Sequence, residues 1–433
     1  METDMGGRAR GANAKMALAF EPAYGAVPAS GFYQMPNSGD DLGEEQGLIA
    51  ADELGQGRDP MAPALDVIKD EGTINVPIDA RYFALWLKLH FGAPTTTAGL
   101  PAIGSYTFSA QPGNNSKLTV NGTDLTFVSA TPAAGQVKIG TTLADTLTSA
   151  VLALNASADA NISPATYALD ATGTKILIEH DTQGVGGNAF TIVAGSGSNA
   201  TASGATLTGG AATGAYKHVF ASGALTLPSA SIEIGNPEVP AYMMNYGVVS
   251  DKIAITVQRS GLLKAVITYI AQGEAPTAAA TAAGTPTSYA FQRLLQAVGS
   301  VSRSGVPLGE LVSGNCTISN GYDKAENIRE DGRIDGADPG PAAYSGQAII
   351  RFKSTANRDQ ARSGLPIDLT YAWKLSLSAR LYLTFHEVYL PRPKMSRNGP
   401  GGIQETYDWQ AAKNATAGRA CTVTVWNDVA SYA

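Results

Sequence analysis

Ser250-Asp-Lys-Ile-Ala-Ile-Thr-Val257 is the stretch that decides the fold class. Ile253, Ile255 and Val257 recur at every second position, the period of a strand with one face buried. Gly261 turns the chain, and Ala265, Ile267 and Tyr269 repeat the pattern. The same alternation is read at Leu375 and Leu377, then at Leu381, Leu383 and Phe385, and last at Val423 and Val425. Upstream, Thr73-Ile74-Asn75-Val76 alternates as well. These segments predict a mainly β protein.

One helix is expected beside the strands. Asp79 is placed to cap it, because an aspartate carboxylate accepts orphan backbone N–H groups. Tyr82, Leu85, Trp86 and Leu89 follow at helical spacing, and Gly92 supplies a stop. The pattern reads as an amphipathic helix lying on a sheet, with Trp86 in the core. Residues 274–287, rich in Ala, Thr and Pro, read as a flexible loop. Tyr289 to Val298 reads as a short helix.

Between about 104 and 214 the chain becomes rich in Ala, Gly, Ser and Thr and poor in charge. Leu118-Thr-Val-Asn-Gly-Thr-Asp-Leu-Thr-Phe-Val128 reads as two strands around an Asn121-Gly122 turn, a dipeptide that favours positive φ. Thr142-Leu-Ala-Asp145 starts a helix whose face carries Leu143, Leu147, Val151 and Leu154. Lys175–Glu179 and Phe190–Val193 read as strands, and Gly184-Val-Gly-Gly187 as a hairpin turn. The expected organisation is therefore a small inserted α+β domain at 104–214, between two parts of one β domain at 1–103 and 215–433.

Of the 433 residues, 44% are hydrophobic and only 15% charged, against roughly 25% charged in ordinary soluble domains. The 30 basic and 37 acidic residues give a net charge of −7, so a basic nucleic-acid-holding surface is not expected. Cys316 and Cys421 form no CxxC pair, which argues against a zinc site or a disulfide framework and for buried thiols. Met1 to Lys15 lacks the apolar run of a signal peptide, and no stretch approaches 18 apolar residues. No membrane span is expected, and the expected compartment is the cytoplasm, or an exit without a signal.

Catalytic patterns are missing: there is no HExxH, GxxxxGK[ST] or GxSxG. His386-Glu387 reads as part of a strand face. One acidic loop contains Glu330, Asp331, Asp335 and Asp338. Asp331, Asp335 and Asp338 are weak calcium candidates, because Arg333 stands where an EF-hand loop needs an oxygen ligand. A solvated loop, or an acidic channel lining, are the other readings. No cofactor is expected. A second acidic run, Asp40, Asp41, Glu44, Glu45, Asp52, Glu53 and Asp59, faces one Arg58. It reads either as a solvated loop or as an arm that packs on a partner subunit. Arg351, Lys353, Arg358 and Arg362 belong to a basic stretch that reaches Arg397. That stretch is either a locally basic face or the complement of the acidic arm on a neighbouring subunit.

The C-terminal part carries a family likeness. Asn398-Gly-Pro-Gly-Gly-Ile403, Glu405-Thr-Tyr-Asp-Trp-Gln-Ala-Ala412 and Thr422-Val-Thr-Val-Trp-Asn-Asp-Val429 resemble the end of major tail tube proteins of bacteriophages with long non-contractile tails. Leu227–Gly235, Tyr242–Gly247, Ser250–Val257 and Gly261–Gly273 are similar to the middle of that family, and Asp79–Gly92 to its helix. The segment 104–214 looks like an add-on module of phage tail structural proteins. The resemblance implies a structural virion protein and no enzyme: a β-sandwich or barrel protomer with a flanking helix. Hexameric rings would stack into a tube around a tape-measure protein, meet terminator and tail-tip proteins, and let double-stranded DNA pass without specific binding. Glu405, Asp408 and Trp409 would be structural members of the family motif. The acidic and basic residues named above would be inter-ring contacts. The insertion would decorate the outside, and its deletion would leave tubes intact. A secreted adhesin or carbohydrate-binding β protein is the alternative. A hydrolase would have only Glu330 and Asp335 to offer.

Overall fold

The computed structural model describes residues 8–54, 57–395, 397 and 401–432. Asn398–Pro400 of the C-terminal motif and the first seven residues lie outside the described residues. The protein is mainly β, with three α-helices among the described residues, Phe83–Phe91, Leu143–Asn155 and Ala356–Ser363.

Ile253, Ile255 and Val257 lie in one long strand, Ala241–Gln258, that serves two sheets. Its second half pairs with Lys264–Ile270 on one side and Leu311–Ser319 on the other. Glu71–Pro77 extends this sheet at one end, and Ala343–Arg351 and Gln404–Ala411 at the other. Its first half pairs with Ala230–Asn236, which in turn pairs with Lys15–Phe20. A facing row runs Gly299–Arg303, Ile367–Ser376, Ala379–Tyr389, Cys421–Asn427, Ala211–Ala221 and Thr95–Phe108. The two rows join at a corner, where Val388 pairs with Ala411. All these pairings are antiparallel, and the strands do not close into a barrel within the protomer. Between the rows lies a core containing Ile253, Ile255, Tyr371, Leu381, Leu383, Phe385, Trp409, Val423 and Val425.

The helix departs from the expectation. It begins at Phe83; Asp79 instead caps the turn before it, accepting the N–H groups of Arg81 at 2.7 Å and Tyr82 at 2.9 Å. It is not amphipathic. Every residue from Phe83 to Phe91 except Lys88 is buried, so this helix sits inside the protomer rather than on its outer face. A helix that is apolar all round belongs in a core.

Two other segments are also held more firmly than expected. The Ala-rich stretch 274–287 is docked. The Glu233 carboxylate accepts the Ala282 N–H at 2.6 Å, and Ala278 exchanges backbone bonds with Tyr242 at 2.9 Å. Tyr289–Val298 is not a helix beyond the short 3-10 turn Gln296–Val298. Its backbone groups are taken by Ile78, Ala80 and Leu262 instead of by its own next turn. Leu377 lies in the turn between the two strands read around it. Gly184–Gly187 leads into a 3-10 turn, Val185–Ala189, and is not a hairpin.

Elsewhere within 104–214 most local readings are met, though the strand read at Phe190–Val193 begins only at Ile192. Lys117–Val120 and Thr123–Val128 form a hairpin, with Asn121 and Gly122 at φ +47° and +89°. Thr142 and Asp145 make the reciprocal capping box of the helix Leu143–Asn155. Leu147, Val151 and Leu154 face a second core that contains Tyr106, Phe127, Tyr167 and Ile176. That core also takes in Val306, which comes from the hairpin Gly299–Pro307 of the larger part. The strands Thr95–Phe108 and Ala211–Ala221 cross the boundaries near 104 and 214; the first gives Ala102, Tyr106 and Phe108 to the second core, and the second gives Phe220 to the first. Arg380, fully buried in the larger part, holds Glu179 with two bonds of 2.6 and 2.7 Å.

Candidate assembly surface

The acidic run folds as a β-hairpin arm. Glu45–Ile49 pairs antiparallel with Ala64–Lys69, and every residue of the first strand is exposed. Leu48, Ile49, Leu65 and Val67 are each more than half exposed, and Leu54 and Met61 near the tip are exposed as well. Single exposed apolar residues need no explanation, but a cluster on one projecting element marks an interaction surface.

The acidic candidates divide by position. Asp40, Asp41 and Glu44 lie at the arm's base and are used within the chain. Asp40 bridges Ile74, and the Asp41 carboxylate accepts the Thr73 N–H, so this loop covers the edge of the strand Glu71–Pro77. Glu44 is clamped by Arg333 through bonds of 2.6 and 2.9 Å. Glu45, Asp52 and Glu53 are exposed on the arm.

The basic candidates are also divided. Arg358 is held at 2.5 Å by Glu405, a buried carboxylate that also accepts the Tyr407 hydroxyl at 2.7 Å. Lys353 pairs with Glu310 at 3.0 Å, and Arg362 lies 3.7 Å from Asp359. Arg351 is exposed. Among the described residues the acidic arm and this basic stretch do not meet within one chain: Glu44 pairs with Arg333, and Lys353, Arg358 and Arg362 pair with Glu310, Glu405 and Asp359.

In the family-motif strand Gln404–Ala411, burial alternates. Glu405, Tyr407 and Trp409 point inward, and Asp408 points out, where it accepts Gln347 at 2.7 Å. Trp409 packs against Phe385 with ring centres 4.7 Å apart. Over residues 404–409 this strand pairs, among the described residues, on one side only, with Ala343–Arg351.

The calcium candidates are placed otherwise. Arg329 binds Asp331 at 3.0 Å and Asp335 at 2.6 Å, and holds the Asp331 carboxyl down at about 2. Asp338 pairs with Asp323 in a two-stranded ribbon. Among the described residues no three His, Cys, Asp or Glu side chains converge to hold a metal. Glu330 is exposed beside them. His386 bonds to Thr422 at 2.7 Å, while Glu387 accepts from Tyr389 at 2.6 Å, so neighbours in sequence serve separate contacts. Both thiols are buried, and burial pushes the Cys316 thiol up to about 12, which leaves it inert. A cavity of about 250 Å³ between Thr123, Gln136, Ser157 and Asp159 has no aromatic wall for a sugar ring to stack on. No helix among the described residues is long and apolar enough to cross a membrane.

The sequence reading missed Arg333 and Arg380. Arg333 stood out only as the residue that spoils a calcium loop. Arg380 was one of nine basic residues in its stretch, and nothing local sets it apart.

Fold and surface together define a mainly β structural protein whose most prominent feature is a projecting apolar arm. The chain belongs to the phage tail tube protein family, whose model matches residues 11–411. Membership makes it a structural component of a phage tail. A search of curated proteins finds no match to the chain.

Proposed function

We propose that copies of this chain form hexameric rings that stack into the tail tube of a siphovirus-type phage, assembled in the host cytoplasm, and that DNA is ejected through the lumen. The apolar arm carries this reading. Leu48, Ile49, Leu65 and Val67 are exposed in a single copy, and a second copy of the chain is the surface that covers them. A head-to-tail contact of this kind closes into a ring or runs on as a filament, and a tube uses both. The edge at residues 404–409, paired on one side among the described residues, favours the same reading, since an unpaired edge is a template for pairing between chains.

In this arrangement Glu45, Asp52 and Glu53 of one ring face Arg351 of the next. Strands within 250–270 and 373–388 line the inside. A chain of net charge −7 suits a wall past which phosphates must slide. A tape-measure protein sets tube length, and terminator and tail-tip proteins close the ends. The segment 104–214 is an inserted module that decorates the outside. The chain carries out no chemistry.

Replacing Leu48 and Leu65, which face each other across the hairpin, together by Ser tests the arm. Both side chains are exposed, so the melting temperature should hold, each change costing no more than about 0.5 kcal/mol. Wild-type protein should pellet on ultracentrifugation, and the variant should stay in the supernatant. A variant that pellets like wild type removes the arm from the assembly.

A further inference from the structure

The arm leaves the body at two points, and one loop grips both. At the first, Arg333 Nε and Nη2 donate to the two Glu44 oxygens at 2.6 and 2.9 Å, and the Glu274 N–H donates to the same carboxylate at 2.5 Å. Both side chains of the pair are only about one-fifth exposed. At the second, the Ile68 N–H donates to the Gly332 carbonyl at 3.0 Å. A third contact from this loop, Lys324 to Glu71, sits just past the arm's end. The pair lies flat on the strand at Gly273, where a Cβ would come within 2.5 Å of both Arg333 Nε and Glu44 Oε1.

The surroundings of the root are acidic. Glu274 lies beside Glu44, and Asp70, between the arm and the strand Glu71–Pro77, feels both charges and is buried with both carboxylate oxygens unpartnered among the described residues. Arg333 is the cation set directly against this group. Without it the carboxylates at the root would repel one another and push the two legs off the body.

We infer that Arg333 is the positioning residue of the arm: its two-point hold on Glu44, next to the Gly332 hold on Ile68, fixes the direction in which the arm leaves the body and so where it meets a second copy of the chain. The inference deepens the tube reading and rests on it for the arm's partner. A guanidinium fork binding both oxygens sets a plane as well as a distance. A lysine ammonium is a point charge and sets a distance only.

The test uses the full chain, held below any assembly concentration, with spin labels at Leu54→Cys near the tip and Leu225→Cys on the body. Both positions are more than nine-tenths exposed, and the two native thiols are buried and do not take label. Pulsed electron paramagnetic resonance then reads the distance distribution. One narrow peak is expected with Arg333 present. Arg333→Met and Arg333→Lys should each lose that peak to a broad distribution, while circular dichroism of the body stays unchanged. Where Arg333→Met does not fold, Arg333→Lys alone decides. A folded variant of either kind that keeps the wild-type peak overturns the inference. This readout is independent of tube formation, so a positioned arm on a chain that never assembles would refute the tube reading and leave this one standing.

Discussion

Asp70 shows what a single buried carboxylate does to this protein. Among the described residues its oxygens have no hydrogen-bond partner, and the nearby Tyr269 hydroxyl donates to the Asp41 carbonyl at 3.0 Å. Burial first, and then the charges of Glu44 and Glu274, raise its carboxyl to about 6. The unfolded value is near 3.9, so the native state holds the proton more tightly between about pH 4 and 6. Stability therefore falls as pH rises through that window, and the full cost is present above about pH 6. Asp70→Asn should stabilise the protein at pH 7.5, by roughly 1–3 kcal/mol, and have little effect at pH 4. Urea unfolding at the two pH values checks it; equal effects at both would show that Asp70 is not charged at a cost. Nothing in Ile-Lys-Asp-Glu-Gly marks Asp70 as buried. Its burial comes from strands and a loop that are distant in sequence, and local patterning carries no trace of them.

At the scale of elements, strands were legible where one face is buried. Ile253, Ile255 and Val257, and Leu381, Leu383 and Phe385, alternate because each second residue enters the core. The capping box at Thr142 and the turn at Asn121-Gly122 were legible because their chemistry is local. The helix Phe83–Phe91 was found, but its surroundings were misread: Tyr82, Leu85, Trp86 and Leu89 mark one face, while Phe83, Ala84, Leu87 and Phe91 fill the other. The first leg of the arm was legible as charge only, while the second, Ala64–Lys69, falls in the stretch 61–78 that reads as a strand region. The arm's strands lack a buried face, so they have no alternation to show. The docked linker at 274–287 was hidden for another reason, because the group that fixes it, Glu233, lies about 50 residues upstream. Packing in the motif strand gives a sharp expectation. Gly346 lies directly against the Trp409 ring and the Asn315 carbonyl, leaving no room for a Cβ. Gly346→Ala should destabilise the protein by roughly 1–3 kcal/mol, read as a lower urea midpoint. An unchanged midpoint would mean that the two strands can part without cost.

At the scale of the whole molecule, 104–214 is tied to the rest by more than a tether. Two strands run through both parts, Val306 enters the second core, and the Asn155 side chain bonds to the Ser304 carbonyl at 2.9 Å. Arg380 stacks 3.9 Å from the Trp426 ring and has Glu179 as its ion-pair partner. Breaking a buried pair from one side costs roughly 3–5 kcal/mol, because a charge is left without compensation. Simple deletion of 104–214 should therefore lower the melting temperature of what remains. Deletion combined with Arg380→Met should recover part of the loss, and an equal loss in both would remove Arg380 from the account. The abrupt change of composition near residue 104 suggested an inserted domain, and the family resemblance a decoration that could be removed. Composition reports what surrounds each residue, and says nothing of a single arginine that crosses the boundary.

The most direct measurement is negative-stain electron microscopy of the purified full chain over a range of concentrations, alone and with tail-tip and tape-measure proteins added. The account predicts rings or tubes with a central hole, with 104–214 visible as knobs on the outer surface. Particles that remain dispersed single copies at every concentration, with those proteins present as well, would contradict it.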